Sequence, residues 1–230
     1  MLGLSGAEGQ DFSQQRARML AEVDAMYAET RAETGFAAMS PAVRGALGKV
    51  ERHRLVPLSQ LSAAYRNHPL PIGNGQTISQ PYIVALSTDL LKVDSKSTVL
   101  EIGTGSGYQA AVLAEIVSRV HSIELIESLG RQAAERLKAM GYANIEVRIG
   151  DGYQGWPEKA PFDGILVTAA APTVPQALVD QLKTGGRLVI PVGGEADIQY
   201  LKVLTKRADG GVDEKRVLPV RFVPLVPGKK

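Results

Sequence analysis

The chain has 230 residues, 44% of them hydrophobic and 22% charged, the balance of a soluble globular protein large enough for one α/β core with additions. Lys and Arg exceed Asp and Glu by only 26 − 24 = 2, too small an excess to imply a surface built for nucleic acid, although it excludes no polyanionic partner. Cysteine is absent, which excludes disulfides, thiolate nucleophiles and cysteine-ligated metal.

The first residues, MLGLSGAEGQDFSQQR, lack a basic region followed by an apolar core, so no signal peptide is expected and the cytoplasm is the default compartment. No apolar run approaches the length of a membrane span, and no membrane partner is expected. Residues 13–33 are rich in Ala, Leu, Glu, Arg and Met, with Met19, Leu20, Val23, Met26 and Tyr27 at helical spacing, and predict an amphipathic helix. A second, short helix is predicted over 41–50. Residues 57–74 break into prolines, glycines and aromatic residues, a composition that predicts loop. A helix over 80–91 follows, with Ser79 as its N-cap and Pro81 at the first helical position.

Beyond residue 96, short β-rich runs alternate with helical ones. STVLEI, RVHSIEL, IEVRIG, FDGILVTAA and GGRLVIPVG read as strands; GYQAAVLAEIV, SLGRQAAERLKAM and VPQALVDQLK read as helices. This βαβα order predicts an α/β fold with a doubly wound, Rossmann-like, mostly parallel sheet behind an N-terminal helical extension. QYLKVLTKR and KRVLPVRFVPLV, separated by Asp209, Gly210 and Gly211, predict a C-terminal antiparallel hairpin at the sheet edge. No repeat or dividing linker interrupts the chain. One domain over 1–230 is therefore expected, with 1–95 an N-terminal helical and substrate-loop segment and 96–230 the core and hairpin.

The sharpest motif is VLEIGTGSGY, a strand carrying Glu101, then Gly103, Gly105 and Gly107, then a helix. Glycines at alternate positions let the backbone turn tightly and approach a ligand at a helix N-terminus. A dinucleotide-binding GxGxxG would need glycine at position 108, where Tyr108 stands. The GxGxG spacing with an acid two residues before it resembles the S-adenosylmethionine loop of class I methyltransferases. The next strand ends at Glu124, where a carboxylate can accept hydrogen bonds from both ribose hydroxyls, and the third runs into Asp151 and Gly152, where an adenine edge would lie. Taken singly, Glu124 also reads as a solvated strand-end charge and Asp151 as an Asx turn.

The segment LPIGNGQTISQP carries no charged residue and no histidine. Together with VLEIGTGSGYQAAVLA, GDGYQGWPEKAPFDGILVTAA, LKTGGRLVIPVG and RFVPL, in that order across residues 57–225, it resembles the protein-L-isoaspartate O-methyltransferases. The resemblance implies methyl transfer from S-adenosyl-L-methionine, with S-adenosyl-L-homocysteine as product, to the free carboxylate of isoaspartyl residues in damaged proteins and peptides. It places cofactor contacts at Gln76, Thr77, Ile78, Ser79, Glu101, Gly103, Gly105, Ser106, Gly107, Glu124, Leu125, Asp151 and Gly152. Substrate contacts fall at Ile72, Ser79 and Val223, with Ser79 as the catalytic residue. Relatives often carry histidine shortly after the TIS triplet, where this chain has Tyr82 and Val84.

The chemistry accounts for an uncharged loop. A carboxylate with a pKa near ~4 is already ionised at neutral pH, so attack on a sulfonium methyl needs positioning and partial dehydration, and no general base. One hydroxyl can hold one carboxylate oxygen and leave the other free, whereas Lys or Arg would stabilise the ground-state anion. Ser79 also reads as a plain N-cap, and RFVPL as an edge strand. His53, His68 and His121 are scattered without acidic partners at ligand spacing, so no metal is expected. A cytosine C5 enzyme would need a cysteine, and base-amino enzymes usually show an Asn/Asp-Pro-Pro-aromatic loop where this chain reads VTAAAPTV; no nucleic-acid partner is expected. A small-molecule or nucleic-acid methyltransferase and a non-catalytic cofactor-binding homologue are the alternatives, and a monomer is the default oligomeric state.

Overall fold

The computed structural model describes residues 11–194 and 196–228. The predicted helix over 13–33 forms as α1 (Ser13–Glu29) and the single turn α2 (Arg31–Thr34). They part at Thr30, whose hydroxyl donates to the Met26 carbonyl at 2.7 Å and meets Tyr82 Oη at 2.5 Å, a local bond that competes with helix continuation. The short helix α3 (Pro41–Lys49) is capped by Ser40, which accepts from the Val43 N–H.

Residues 57–74 are less irregular than their composition predicts. A 3₁₀ turn spans Leu58–Ala63, and Leu70–Gly73 (β1) pairs antiparallel with Gln76–Ile78 (β2). Asn74 and Gly75, with φ of 52° and 70°, supply the two left-handed residues of a type I′ hairpin turn. The next helix, α4 (Pro81–Leu91), has Gln80 as its N-cap and no side-chain cap bond from it. Ser79 therefore lies one residue outside the cap that the sequence assigns to it. The Asn67 side chain takes over this duty, accepting from the Tyr82 N–H at 3.0 Å.

The remaining elements are β3 (Thr98–Ile102), α5 (Tyr108–Ala114), β4 (Arg119–Glu124), α6 (Glu127–Ala139), β5 (Ile145–Ile149), β6 (Phe162–Val167), α7 (Gln176–Asp180), β7 (Leu182–Val192), β8 (Gln199–Lys206) and β9 (Val212–Val220). The strands β3 to β9 form one sheet in the order β5, β4, β3, β6, β7, β8, β9. The first five of these run parallel and the last two antiparallel, which is the predicted doubly wound sheet with its edge hairpin. Helix α7 is shorter than predicted because Leu182 already pairs with Phe162 as β7 begins. The final strand also departs from the prediction: β9 ends at Val220, and RFVPL leaves the hairpin.

Side chains of the buried strands alternate between two apolar layers. Val99, Val120, Leu166 and Val189 face a layer shared with α1, α3, α4 and α5, while Leu100, Ile123, Ile165 and Leu188 face one shared with α7, Trp156 and Phe162. The N-terminal helices are tied to this body by a buried pair, Tyr27 Oη donating to Asp89 Oδ2 at 2.6 Å, with the Ser40 N–H on the same oxygen at 3.2 Å. Among the described residues, no helix is long and apolar enough to cross a membrane.

Candidate active site

Between β3 and β6 the chain order reverses, and the carboxyl ends of these strands open a crevice of the kind where ligands bind in doubly wound sheets. The loop after β3 takes left-handed backbone at each of its glycines, with φ of 95° at Gly103, 52° at Gly105 and 90° at Gly107. A Cβ on Gly103 would come within 2.4 Å of Thr168 Oγ1, and one on Gly152 within 2.3 Å of Ile102 Cγ2. Thr168 closes the crevice from β6, its hydroxyl donating to the carbonyls of Gly103 at 2.7 Å and Ile102 at 3.0 Å.

The acidic residues divide into two roles. Glu124 Oε2 accepts from the Gly105 N–H at 2.8 Å and Oε1 from the Ile126 N–H at 2.9 Å, so its carboxylate spans the glycine loop and the turn after β4 at the wall of the cavity. Glu101 lies elsewhere. It shares the face of β3 with Val99, has 0% of its surface exposed, and pairs in register with Ser122, whose hydroxyl donates to it. Ser122 in turn meets Thr104 Oγ1 at 2.6 Å, so Glu101 supports the glycine loop from beneath and does not line the cavity.

Burial pushes the Glu101 carboxyl up to about 8; the Ser122 hydroxyl opposes the shift and the neighbouring Glu124 adds to it. A folded-state pKa above the ordinary 4.5 means that the native state binds the extra proton. Its contribution to stability is complete below the unfolded value and is lost as pH rises towards 8. Glu101→Gln, which cannot ionise, is therefore expected to keep a fixed difference from the wild type below about pH 4 and to gain on it as pH rises from there to 8, at up to ~1.4 kcal/mol per pH unit. Urea denaturation at several pH values measures this difference, and a constant difference across pH would refute the assignment.

A cavity at this crevice is lined by Gln76, Thr77, Ile78, Ser79, Gly103, Gly105, Ser106, Glu124, Leu125, Gly152 and Val223, which brings most of the sequence-predicted positions together. Gly107 and Asp151 stand behind it. Gly107 N-caps α5, and Asp151 makes the Asx turn that the sequence left open, accepting from the Tyr153 N–H at 2.9 Å. Ile72 is also outside the lining, with its Cδ1 3.5 Å from where a Cβ on Gly105 would sit. Of the two positions where relatives often carry histidine, Val84 lines the cavity, whereas Tyr82 is buried against Tyr27 with ring centroids 5.7 Å apart.

A second cleft opens beside the first and shares four lining residues with it, Thr77, Ser79, Thr168 and Val223. Among the described residues the Ser79 hydroxyl has no hydrogen-bond partner, and it borders both spaces. The cleft is roofed by residues 221–223, a strap held over the end of β6. The Gln199 amide accepts from the Phe222 N–H at 2.6 Å and donates to the Phe222 carbonyl at 3.1 Å, while the Val223 carbonyl accepts from the Ala170 N–H at 2.8 Å. The Leu225 N–H donates back to Ala170 at 2.7 Å. The Val223 N–H is left without a partner among the described residues. Thr168, Gln199 and Asn67 escaped the sequence reading because each acts on a segment distant in the chain.

Residues 22–230 match the family described as protein-L-isoaspartate(D-aspartate) O-methyltransferase. The chain belongs to this family. Two relatives in the protein-L-isoaspartate O-methyltransferase family make the extent of the likeness plain. Protein-L-isoaspartate O-methyltransferase 2 of Syntrophobacter fumaroxidans is 54% identical over 226 residues, covering 98% of this chain and 92% of the relative. Its namesake in a Polaromonas species is 56% identical over 207 residues, covering 90% and 98%. Among solved structures, one protein-L-isoaspartate O-methyltransferase superposes with a TM-score of 0.80 at 28% identity, covering 91% of this chain and 65% of its own length. A Plasmodium falciparum structure, solved in complex with S-adenosyl-L-homocysteine, superposes with a TM-score of 0.75 at 24% identity over 94% of this chain and 99% of its own, a likeness of fold.

Proposed function

We infer that the chain is a protein repair methyltransferase that moves a methyl group from S-adenosylmethionine to the free carboxylate of L-isoaspartyl residues in damaged proteins and peptides. The observation that carries this reading is the sharing of Thr77, Ser79, Thr168 and Val223 between the glycine-loop cavity and the cleft beside it: a donor site and an acceptor site meet at one free hydroxyl. Family membership and the names of the relatives point to the same activity.

The cavity suits the cofactor. Its glycines leave space that a Cβ would fill, and Glu124, the one carboxylate in its lining, would hold the ribose hydroxyls. The glycine loop with Ser106, the segment Gln76–Ile78, Leu125 and Gly152 would enclose the rest. When bound, S-adenosylmethionine supplies an electrophilic methyl group.

Neither lining contains a histidine, lysine or aspartate, and the one cation between them, Arg221, lines only the second cleft; no general base is needed, because the acceptor carboxylate is ionised at neutral pH. The Ser79 hydroxyl holds one of its oxygens and leaves the other to attack. The strap presents backbone, the Val223 N–H included, to an extended peptide, which suits recognition of an altered main chain in many sequence contexts. In the methyl ester formed, the following backbone nitrogen attacks the ester carbonyl, methanol leaves, and the succinimide can reopen as normal aspartate.

The test compares transfer of labelled methyl from S-adenosylmethionine to an L-isoaspartyl peptide and to its normal aspartyl twin. Label is expected in the isoaspartyl peptide alone. Equal label in both, or label in neither with the cofactor product still bound, would sink the reading.

A further inference from the structure

Arg52 is wholly buried, with 0% of its surface exposed, and no carboxylate pairs with it; its neighbour Glu51 bonds Arg54 instead. Its Nε donates to the Ala64 carbonyl at 2.8 Å, while Nη1 and Nη2 have no partner among the described residues. Burial lowers its pKa to about 10, so the guanidinium stays charged at neutral pH. A buried unpaired cation is costly, and the contact that offsets it here is aromatic: Cζ sits 4.5 Å from the centroid of the Tyr108 ring, a geometry that strengthens when desolvated.

Tyr108 is the residue after Gly107, the first of α5, and it lines the glycine-loop cavity. On the other side, Ala64 adjoins Tyr65, whose hydroxyl accepts from Arg16 of α1 at 3.0 Å and bonds His53 at 2.8 Å. A continuous set of contacts thus runs from the N-terminal helix through Arg52 to the cofactor cavity.

We propose that Arg52 is a positioning residue for the cofactor site, acting through its stack on Tyr108 to hold the first turn of α5 against the glycine loop. This rests on the methyltransferase reading above. The test is titration calorimetry with S-adenosylhomocysteine on the wild type, Arg52→Met, Arg52→Lys, Tyr108→Leu and the Arg52→Met/Tyr108→Leu pair, with KM for the isoaspartyl peptide measured alongside.

Arg52→Met is expected to weaken cofactor-product binding by about tenfold and leave the peptide KM unchanged, and the double variant is expected to lose no more than Tyr108→Leu alone, the signature of a shared route. Arg52→Lys keeps a cation near the ring and loses the Ala64 bond; it is expected to bind within about threefold of the wild type. Should Arg52→Met fail to fold, Arg52→Lys still decides: a tenfold loss there assigns the effect to the Ala64 tie and overturns the proposal. Additive losses, unchanged binding in Arg52→Met, or an equal rise in peptide KM overturn it as well. A wild type that does not bind S-adenosylhomocysteine would sink the cofactor reading itself, which the variants alone cannot do.

Discussion

Ser79→Ala is expected to lower kcat/KM for an L-isoaspartyl peptide by about 10²-fold, the scale of a nucleophile left about 1 Å out of place. The expectation rests on two features of Ser79: it borders both the glycine-loop cavity and the cleft beside it, and it is not consumed in capping α4. On the proposed reading, removing its oxygen would take away a contact to the acceptor, and the Tyr82 N–H stays satisfied by Asn67, so stability should hardly change. Steady-state kinetics with peptide and cofactor varied separately would show the loss mainly in kcat, with S-adenosylhomocysteine affinity little altered. The pH profile discriminates further. An orienting hydroxyl leaves the shape of the profile unchanged between variant and wild type, whereas a variant lacking one limb of the profile would mean that Ser79 takes part in proton transfer.

Gly103→Ala is expected to cost about 3 kcal/mol or more in urea denaturation and to abolish measurable cofactor binding. Two terms add. At φ of 95° any Cβ is strained, by about 1–2 kcal/mol, and the new methyl would stand 2.4 Å from Thr168 Oγ1. Thr168 cannot step aside cheaply, because its hydroxyl holds the carbonyls of Gly103 and Ile102 and its side chain is part of both clefts. Adding Thr168→Ala should restore the part due to the clash and leave the part due to backbone strain. A Gly103→Ala protein as stable as the wild type would show that the loop does not have this geometry.

Much of the architecture is written in local pattern. Short β-rich runs alternating with helical ones, with glycines at the end of β3, specify a doubly wound sheet and the position of its crevice before any contact is known, and β3, β4 and β6 are buried along nearly their whole length, as central strands of such a sheet are. What escaped is non-local. Ser79 looks like the cap of α4 because a serine before a proline is a strong local signal; the actual cap comes from Asn67, whose contact with Tyr82 no window on the helix contains. Glu101 shares a motif with the glycine loop, yet the pleat of β3 sends it to the face beneath α5, where Ser122 from the next strand receives it. The C-terminal β-like run is long enough to be one strand, and only Gln199 and Ala170 reveal that its second half is drawn off to the site. The hairpin at Asn74 and Gly75 was legible in principle, but strands of four and three residues with a proline in one of them carry too little pattern to register as sheet.

The strap at residues 221–223 makes the two spaces share one wall. Val223 and Leu225 line the glycine-loop cavity, Arg221, Phe222 and Val223 line the cleft beside it, and the segment is pinned by Gln199 and Ala170. Local opening of this one segment would therefore unmake both spaces together, and hydrogen exchange at the Phe222 and Leu225 amides reads that opening directly.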